Sequence, residues 1–353
     1  MLDTVPHLAE LLEATLPARQ PVALTALKGQ LSTRRYYRLE LAPASNGPVS
    51  LIVMQLPDED PDDAALKQAH AFGDIQRFIT SHGLRAPAIY GAQLENKLML
   101  LEDLGDEMFD TRLARVPRAK WDDSYRVAIA SLARLHRAAT TADPSSCIAL
   151  RRHFDAKLLR WELDHFREWG LEALHSPLSA ADRSELDQHF DALTAAIVAL
   201  PQGFVHRDYQ SRNLLWAPDG QLAIIDFQDA FIGPAAYDLV ALLCDSYVAV
   251  DAQLQAAMLQ HYAAERGYAA DQHAELVRGF RLIAVQRKLK DAGRFIFIDR
   301  VRNNPNFVGY YPASLEYVAR ALSGLPELDA LKSCLERVVP GFPLAQVGPG
   351  IPV

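Results

Sequence analysis

The sequence has few cysteines and no long apolar stretch, and these absences exclude several classes of protein. Its three cysteines, Cys147, Cys244 and Cys334, lie far apart, so neither a disulfide framework nor a cysteine metal site is expected. No uncharged apolar run reaches the roughly 20 residues of a membrane-spanning helix, and the first residues do not resemble a signal peptide. We therefore expect a soluble, cytoplasmic protein without a membrane partner.

The chain also lacks an excess of positive charge. It contains 36 Lys and Arg against 44 Asp and Glu, which gives a formal net charge of −8. Proteins that bind nucleic acid usually carry a basic footprint, so we expect no nucleic-acid partner. With 353 residues, half of them hydrophobic, the chain is long enough for about two domains or one bilobal fold.

The hydrophobic pattern predicts a small sheet followed by a mostly helical region. Apolar residues at helical spacing indicate helices at 6–16 and 63–81, and short apolar runs indicate five strands. The strands are expected at 24–27, 36–41, 49–56, 88–92 and 97–102. Later helices are expected at 121–139, 154–169, 179–199 and 234–249. We predict an α+β fold with a β-rich N-lobe over residues 1–103 and a helical C-lobe over 104–353.

A predicted hairpin interrupts the helical region and brings polar side chains together. Asn213 begins its first apolar run, Pro218-Asp219-Gly220 forms the turn, and Asp226 ends the second run. Because paired strands lie about 4.8 Å apart, Asn213 and Asp226 are expected at the same end of the hairpin. Asp208, within His206-Arg207-Asp208, precedes Asn213 by five residues.

This combination of side chains is what phosphoryl transfer requires. One carboxylate accepts or orients the proton of the acceptor hydroxyl, while an amide and a second carboxylate hold Mg²⁺ against the nucleotide phosphates. We assign Asp208 as the catalytic base. Asn213 and Asp226 are assigned as Mg²⁺ ligands, because Mg²⁺ prefers hard oxygen donors. Each residue alone is more often an ordinary loop residue, and the joint spacing of the three favours an ATP-dependent kinase.

Two segments of the predicted N-lobe are candidates for nucleotide binding. The turn between the first two strands offers backbone N–H groups and cationic side chains to phosphates, although a solvated strand edge remains the alternative. Its candidate residues are Gly29, Ser32, Thr33, Arg34 and Arg35. The apolar strand that ends at Glu102, together with Leu104, is expected to form the hinge whose backbone groups bind adenine. The alternative is an ordinary strand that leaves the sheet.

Other polar residues have weaker assignments. Arg212 and Asp229 flank the proposed metal ligands and are candidates for substrate contact, against a surface Arg and a helix or turn cap as alternatives. His206 and Asp238 are expected to brace the catalytic loop rather than to take part in the chemistry.

Residues 278–302 carry eight basic side chains, which we expect mostly on a solvated helix face, with one or two in the substrate cleft. They are Arg278, Arg281, Arg287, Lys288, Lys290, Arg294, Arg300 and Arg302.

These motifs resemble those of the aminoglycoside phosphotransferase family, a branch of the protein-kinase-like fold. The resemblance covers about residues 25–245 and includes the segments 206–214, 225–230 and 233–239. Residues 32–36 and 100–105 are further similar to bacterial kinases of cell-wall recycling. That narrower resemblance implies ATP- and Mg²⁺-dependent phosphorylation of the anomeric hydroxyl of N-acetylmuramate or N-acetylglucosamine in peptidoglycan recycling. The partners implied are a nucleotide and a small sugar, and we expect a monomer.

The sequence departs from the kinase pattern at two places. Strand 49–56 has no Lys and helix 63–81 has no Glu, the pair that kinases place near the nucleotide phosphates. We expect Arg34 or Arg35 to supply the missing positive charge. Residues 292–304 do not match the tail of the sugar kinases, which leaves the choice of sugar open.

Several acceptors remain open from the sequence. For N-acetylmuramate, the lactyl carboxylate needs a cation, and Arg294, Arg300 and Arg302 are candidates. Aminoglycosides are polycations, so the basic segment 278–302 disfavours them. Choline-like acceptors would need an aromatic cage, for which Trp161, Trp169 and Tyr247 are available. A nucleotide-binding regulator without catalysis is the non-enzymatic alternative.

Overall fold

The computed structural model describes residues 2–27, 34–58 and 61–343, and its first part is a five-stranded antiparallel sheet. The strands lie in the order β1-β2-β3-β5-β4. Their bounds are β1 Pro21–Leu27, β2 Arg35–Leu41, β3 Ser50–Gln55, β4 Ile89–Gln93 and β5 Leu98–Glu102. Each strand predicted for the N-lobe is therefore confirmed. The predicted phosphate-binding residues Gly29, Ser32 and Thr33 lie outside the described residues.

The rest of the described chain is mainly helical. The helices are α1 Leu8–Thr15, α2 Ala64–Ser81, α3 Phe109–Arg115, α4 Trp121–Thr141, α5 Ala156–His165, α6 Ala180–Val198, α7 Tyr237–Leu243, α8 Ala252–Arg266, α9 Ala270–Arg302, α10 Tyr310–Leu322 and α11 Asp329–Val338. A π-helix, Phe166–Glu172, continues α5. Short 3₁₀ turns occur at Leu2–Thr4, Pro61–Asp63, Leu94–Asn96, Arg118–Lys120, Pro144–Ser146, Ile148–Arg151, Ser211–Asn213, Pro305–Phe307 and Pro326–Leu328. No helix in these described ranges is long and apolar enough to cross a membrane.

The sheet buries both of its faces because its central strands, β3 and β5, are apolar at consecutive positions. On one face, Leu51 and Leu100 pack in a cluster with the apolar side of α1. On the other face, Met54 and Leu101 join the main core together with α2. Successive residues of a strand point to opposite faces, so these two clusters follow directly from the register of β3 and β5.

The predicted hairpin is present as β7 Leu214–Trp216 and β8 Leu222–Ile224. A second strand pair joins β6 Gln202–Val205 to β9 Phe231–Pro234. The helix expected at 234–249 is therefore wrong in extent, because only α7 is helical there. Residues before α7 pair with β6, and after it the Asp245 carboxylate accepts backbone N–H groups of Ser211 and Tyr247, which bends the chain.

Helix α9 crosses the helical part of the molecule, and the prediction of a mostly solvated basic face is wrong. Arg278, Arg300 and Arg302 are exposed, but Arg287 and Lys288 are buried and the remaining basic residues are half-buried. The reason is that neighbouring helices cover α9 on several sides, including α5, α7 and α10. The three cysteines are buried and free, in agreement with the absence of a disulfide framework.

Candidate active site

Buried polar contacts hold the loop that precedes the hairpin. Asp238, fully buried on α7, accepts hydrogen bonds from the backbone N–H groups of His206 (2.6 Å) and Arg207 (3.0 Å). The His206 ring contacts the carbonyl of Ile225 through Nε2 at 3.0 Å, which ties the loop to the residue before Asp226. Arg207 has a φ of 83°, a strained backbone conformation for a residue with a side chain. The bracing expected of His206 and Asp238 is what this geometry provides.

The structure brings the predicted catalytic and metal-binding residues together. Asn213 Nδ2 donates to the backbone carbonyl of Asp208 at 2.8 Å and lies 3.4 Å from Asp226 Oδ2. The cause is local, because Leu214 pairs with Ile224 in the hairpin, and Asn213 and Asp226 flank that pair. Asp208 and Asp226, eighteen residues apart in the sequence, therefore meet Asn213 at one end of the hairpin.

The donors in this cluster suit a divalent cation. The carboxylate of Asp226 and the amide of Asn213 offer hard oxygen ligands of the kind that Mg²⁺ binds. Gln228 Nε2 donates to Asp226 Oδ1 at 2.9 Å, while the buried Gln228 Oε1 has no hydrogen-bond partner among the residues that the structure describes. A buried acceptor without a donor is costly, and a bound cation beside Asp226 would relieve that cost. The residues present therefore fit Mg²⁺.

Arg287, on α9, donates a hydrogen bond to the carboxylate of Asp208 and lowers its pKa. Its Nη2 donates to Asp208 Oδ1 at 3.1 Å, and its Nη1 donates to the carbonyl of Arg207 at 2.7 Å. The Arg287 side chain is 4% exposed, whereas 40% of the Asp208 side chain remains open to solvent. Burial acts to raise the pKa of Asp208, but the positive charges of Arg287, Lys290 and Arg207 outweigh it and hold that pKa below its ordinary value. The sequence marked Arg287 only as one basic residue among eight.

Arg34, one of the two arginines expected near the nucleotide phosphates, is hydrogen bonded to a residue of α2. Arg34 is 7% exposed and donates through Nη2 to Gln68 Oε1, and Gln68 Nε2 donates to both oxygens of Asp229 at 2.9 and 3.2 Å. Burial raises the pKa of Tyr36, and the charges of Arg34 and Asp226 both act on the same phenol. Arg34 is thus linked through Gln68 to Asp229, three residues beyond Asp226. Asp229, predicted to contact substrate, is instead engaged by Gln68.

In the predicted hinge, the Glu102 side chain is bound by an arginine, Arg85. Glu102 accepts two hydrogen bonds from Arg85, at 2.7 and 2.5 Å, and one from the backbone N–H of Ala88. Arg85 also contacts Asp219 in the hairpin turn at 3.1 Å, so it joins the sheet to the hairpin. These contacts hold the pKa of Glu102 below its ordinary value, with the Arg85 hydrogen bond as the main cause. Leu104 is buried against the hairpin.

A cavity of about 540 Å³ opens beside this segment. Its lining includes Arg38, Ser50 and the residues that follow β5, Asp103, Gly105 and Asp106. Arg38 donates to Asp103 at 2.7 Å and to Asp106 at 2.8 Å, so it closes one side of the cavity. Arg38 pairs with Ile52 and Ile52 with Leu101, which places the cavity on the face of the sheet that carries α2.

Other predicted site residues lie away from the cluster or already have partners. Arg35 is exposed at the start of β2. Arg212 binds the Asp110 carboxylate at 3.2 Å and covers the ring of Tyr247, with 3.7 Å from its guanidinium carbon to the ring centroid. Arg300 is exposed and contacts Asp299 at 3.6 Å. Arg302, the last residue of α9, is also exposed.

The chain is similar to known kinases over most of its length. The N-acetylmuramate/N-acetylglucosamine kinase of Pseudomonas aeruginosa is 28% identical over 326 residues, which cover 91% of this chain and 90% of that protein. The protein of the same name from Caulobacter vibrioides is 29% identical over 341 residues, which cover 89% and 92% of the two chains.

Comparison with solved structures identifies the fold, and comparison with sequence families identifies the family. The GDP complex of wild-type aminoglycoside 2'-phosphotransferase-IIIa superposes with a TM-score of 0.58 at 16% identity, over 91% of this chain and 99% of that chain. The predicted bilobal, kinase-like α+β fold is thus confirmed. A sequence model of the phosphotransferase enzyme family matches residues 23–275, well over half of the chain. The chain therefore belongs to the phosphotransferase enzyme family.

Proposed function

We propose that the protein transfers the γ-phosphoryl group of ATP to the anomeric hydroxyl of N-acetylmuramate or N-acetylglucosamine. The observation that carries this proposal is the convergence of Asp208, Asn213 and Asp226 at one end of the hairpin. The choice of sugar is supported by relatives with that substrate pair in their names, which match about nine tenths of the chain. The proposed physiological setting is the recycling of peptidoglycan sugars.

Asp208 is the proposed acceptor of the hydroxyl proton. Its Oδ1 already accepts a hydrogen bond from Arg287, so Oδ2 is the oxygen that can receive the sugar hydroxyl. Because the pKa of Asp208 is below its ordinary value, the carboxylate is ionised at neutral pH and acts mainly by orienting the hydroxyl. An anomeric hydroxyl is more acidic than an ordinary alcohol, which makes a carboxylate an adequate base.

Positioning and charge account for the rest of the proposed mechanism. Asn213 and Asp226 would hold Mg²⁺, which when bound would supply positive charge against the nucleotide phosphates. Arg34 adds a second positive charge, which Gln68 orients from α2 in place of the usual Glu. The cavity beside Asp103 is the proposed site of the base, bounded by the residues after β5.

Other acceptors fit the site less well. A polycationic aminoglycoside would meet Arg287, Lys290 and Arg207 around Asp208, so like charges would repel it. A choline-like acceptor would need an aromatic cage, but the Tyr247 ring is already covered by Arg212. A regulator without catalysis would have no need for the ionised Asp208. One chain supplies every residue of the proposed site, so we expect a monomer to be active, and we place the enzyme in the cytoplasm.

The test is a panel of acceptors with ATP and Mg²⁺, read by ADP release and by ³¹P NMR of the product. We expect an anomeric phosphate from one or both amino sugars, and loss of turnover in Asp208→Asn. The matched control is Asp122→Asn, whose side chain has a similar exposure of 41% and lies on the first turn of α4. A phosphate on another hydroxyl, or turnover only with aminoglycosides or choline, would refute the proposal.

A further inference from the structure

Helix α9 presents a second arginine on the face that holds the catalytic loop. Arg294 follows Arg287 by seven residues, which in an α-helix places both on one face with Cα atoms about 10.5 Å apart. Arg287 binds Asp208, so Arg294 lies two turns further along the same surface. The charge of Arg207, the neighbour of Asp208, acts on Arg294, which agrees with this placement.

Arg294 is a half-buried cation without an anionic partner in the described part of the chain. Its guanidinium carbon lies 5.1 Å from the centroid of the Phe297 ring, and no carboxylate of the described residues forms an ion pair with it. Burial, followed by the positive charges of Arg302 and Arg207, lowers the pKa of Arg294. Other basic residues of this helix do have carboxylates, since both Lys288 and Lys290 contact Asp291 at 3.0 Å. A partly buried charge is stabilised when an anion pairs with it.

Aromatic and imidazole side chains form a wall beside Arg294. The His165 ring is 7% exposed, its centroid lies 5.1 Å from that of Phe297, and its buried Nε2 has no hydrogen-bond partner among the described residues. Burial, with the charges of Arg294 and Lys290, lowers the pKa of His165 to about 4, so the imidazole is neutral at pH 7. Trp169 packs edge-on against Phe297 at 5.2 Å. Aromatic walls with a few convergent polar groups are typical of small-molecule pockets.

We propose that Arg294, supported by His165 and Phe297, binds the carboxylate of an acidic acceptor sugar. This inference rests on the proposed function, since it assumes a sugar whose hydroxyl reaches Asp208. The planar guanidinium can grip a carboxylate with two parallel hydrogen bonds, and a neutral imidazole can add an N–H donor. The enzyme thereby distinguishes N-acetylmuramate, which has a carboxylate, from N-acetylglucosamine, which has none.

The other two arginines considered for this role differ from Arg294 in their exposure to solvent. Arg300 is exposed and already contacts Asp299, so its charge is partly neutralised and open to water. Arg302 is exposed at the end of α9. Exposed ion pairs contribute little to affinity, whereas a partly desolvated pair contributes more.

The test compares kcat/KM for the two sugars in wild type, Arg294→Met, Arg294→Lys and Arg300→Met. With N-acetylmuramate, we expect Arg294→Met to lower kcat/KM about 10- to 100-fold, mainly through KM, as loss of a charged hydrogen bond implies. With N-acetylglucosamine, the same variant should keep the wild-type value. Arg294→Lys should lose less activity than Arg294→Met, because lysine keeps the positive charge but lacks the planar guanidinium that makes two parallel hydrogen bonds. Arg300→Met, on the same helix, should match wild type with both sugars.

The outcomes are distinct for the two proposals. An equal loss with both sugars in Arg294→Met, with an unchanged melting temperature, would overturn carboxylate recognition and leave the sugar-kinase proposal intact. If the wild-type enzyme phosphorylates N-acetylglucosamine but not N-acetylmuramate, carboxylate recognition is also overturned and the sugar-kinase proposal stands. Absence of turnover with either sugar in wild type would instead refute the proposed function, and the inference with it. A sugar-selective loss restricted to Arg294 variants supports both.

Discussion

Replacement of Arg287 by Met should move the acid limb of the pH–activity profile to higher pH. The wild-type guanidinium donates to Asp208 Oδ1 at 3.1 Å, and its positive charge favours the ionised carboxylate. Without that charge, the pKa of Asp208 rises toward and beyond its ordinary value. Because the proposed reaction uses the ionised form of Asp208, we expect activity to be lost at a higher pH than in wild type.

The size of the shift follows from the geometry. Two unit charges about 4 Å apart interact by about 4 kcal/mol at an effective dielectric constant of 20, and about 1.4 kcal/mol corresponds to one pKa unit. Solvent reaches 40% of the Asp208 side chain, which screens the pair. Lys290 and Arg207 also remain in the variant. We therefore expect an upward shift of about one to two pH units.

The assay is kcat/KM with N-acetylglucosamine from pH 4.5 to 9, since this acceptor has no carboxylate of its own to titrate. Wild type should stay nearly flat at the acid end, and Arg287→Met should decline there. Arg278→Met is the control, because Arg278 lies on the same helix but is exposed and pairs with Glu327 at 2.8 Å. An unmoved acid limb in a variant that is still folded by circular dichroism would refute this account of Asp208.

Two further variants test the nucleotide side and the packing of α9. Arg34→Met should raise the KM for ATP about 10-fold through loss of a charged contact, while the exposed Arg35→Met should not, and equal effects would contradict the assignment. Gly293→Ala should destabilise the fold by about 1–3 kcal/mol in thermal unfolding, because overpacking is costly. Its new Cβ would lie 2.7 Å from Phe166 Cα, whereas the Cβ of Gly309→Ala would meet no non-neighbouring atom of the described residues within 4 Å, so that variant should leave the melting temperature unchanged.

The local part of the site was predictable from the sequence. Turn residues between two apolar runs set the register of the hairpin, and that register places Asn213 beside Asp226. The strands of the sheet were predictable from local sequence too, since each corresponds to a short apolar run. The shortened α7 was not, because residues 231–234 pair with β6, and pairing between distant segments leaves no signal in a local pattern.

The sequence by itself determined the chemistry available at the hairpin, because Asp208, Asn213 and Asp226 are close along the chain and local geometry brings them together. Only the tertiary structure decided which distant side chains contact the acidic residues around the hairpin. Arg287 reaches Asp208 across 79 residues, and Gln68 reaches Asp229 across 161. The physical reason is that a basic residue on a helix has the same local pattern whether it faces solvent or a carboxylate. The packing of α2 and α9 determines which of their side chains face the carboxylates.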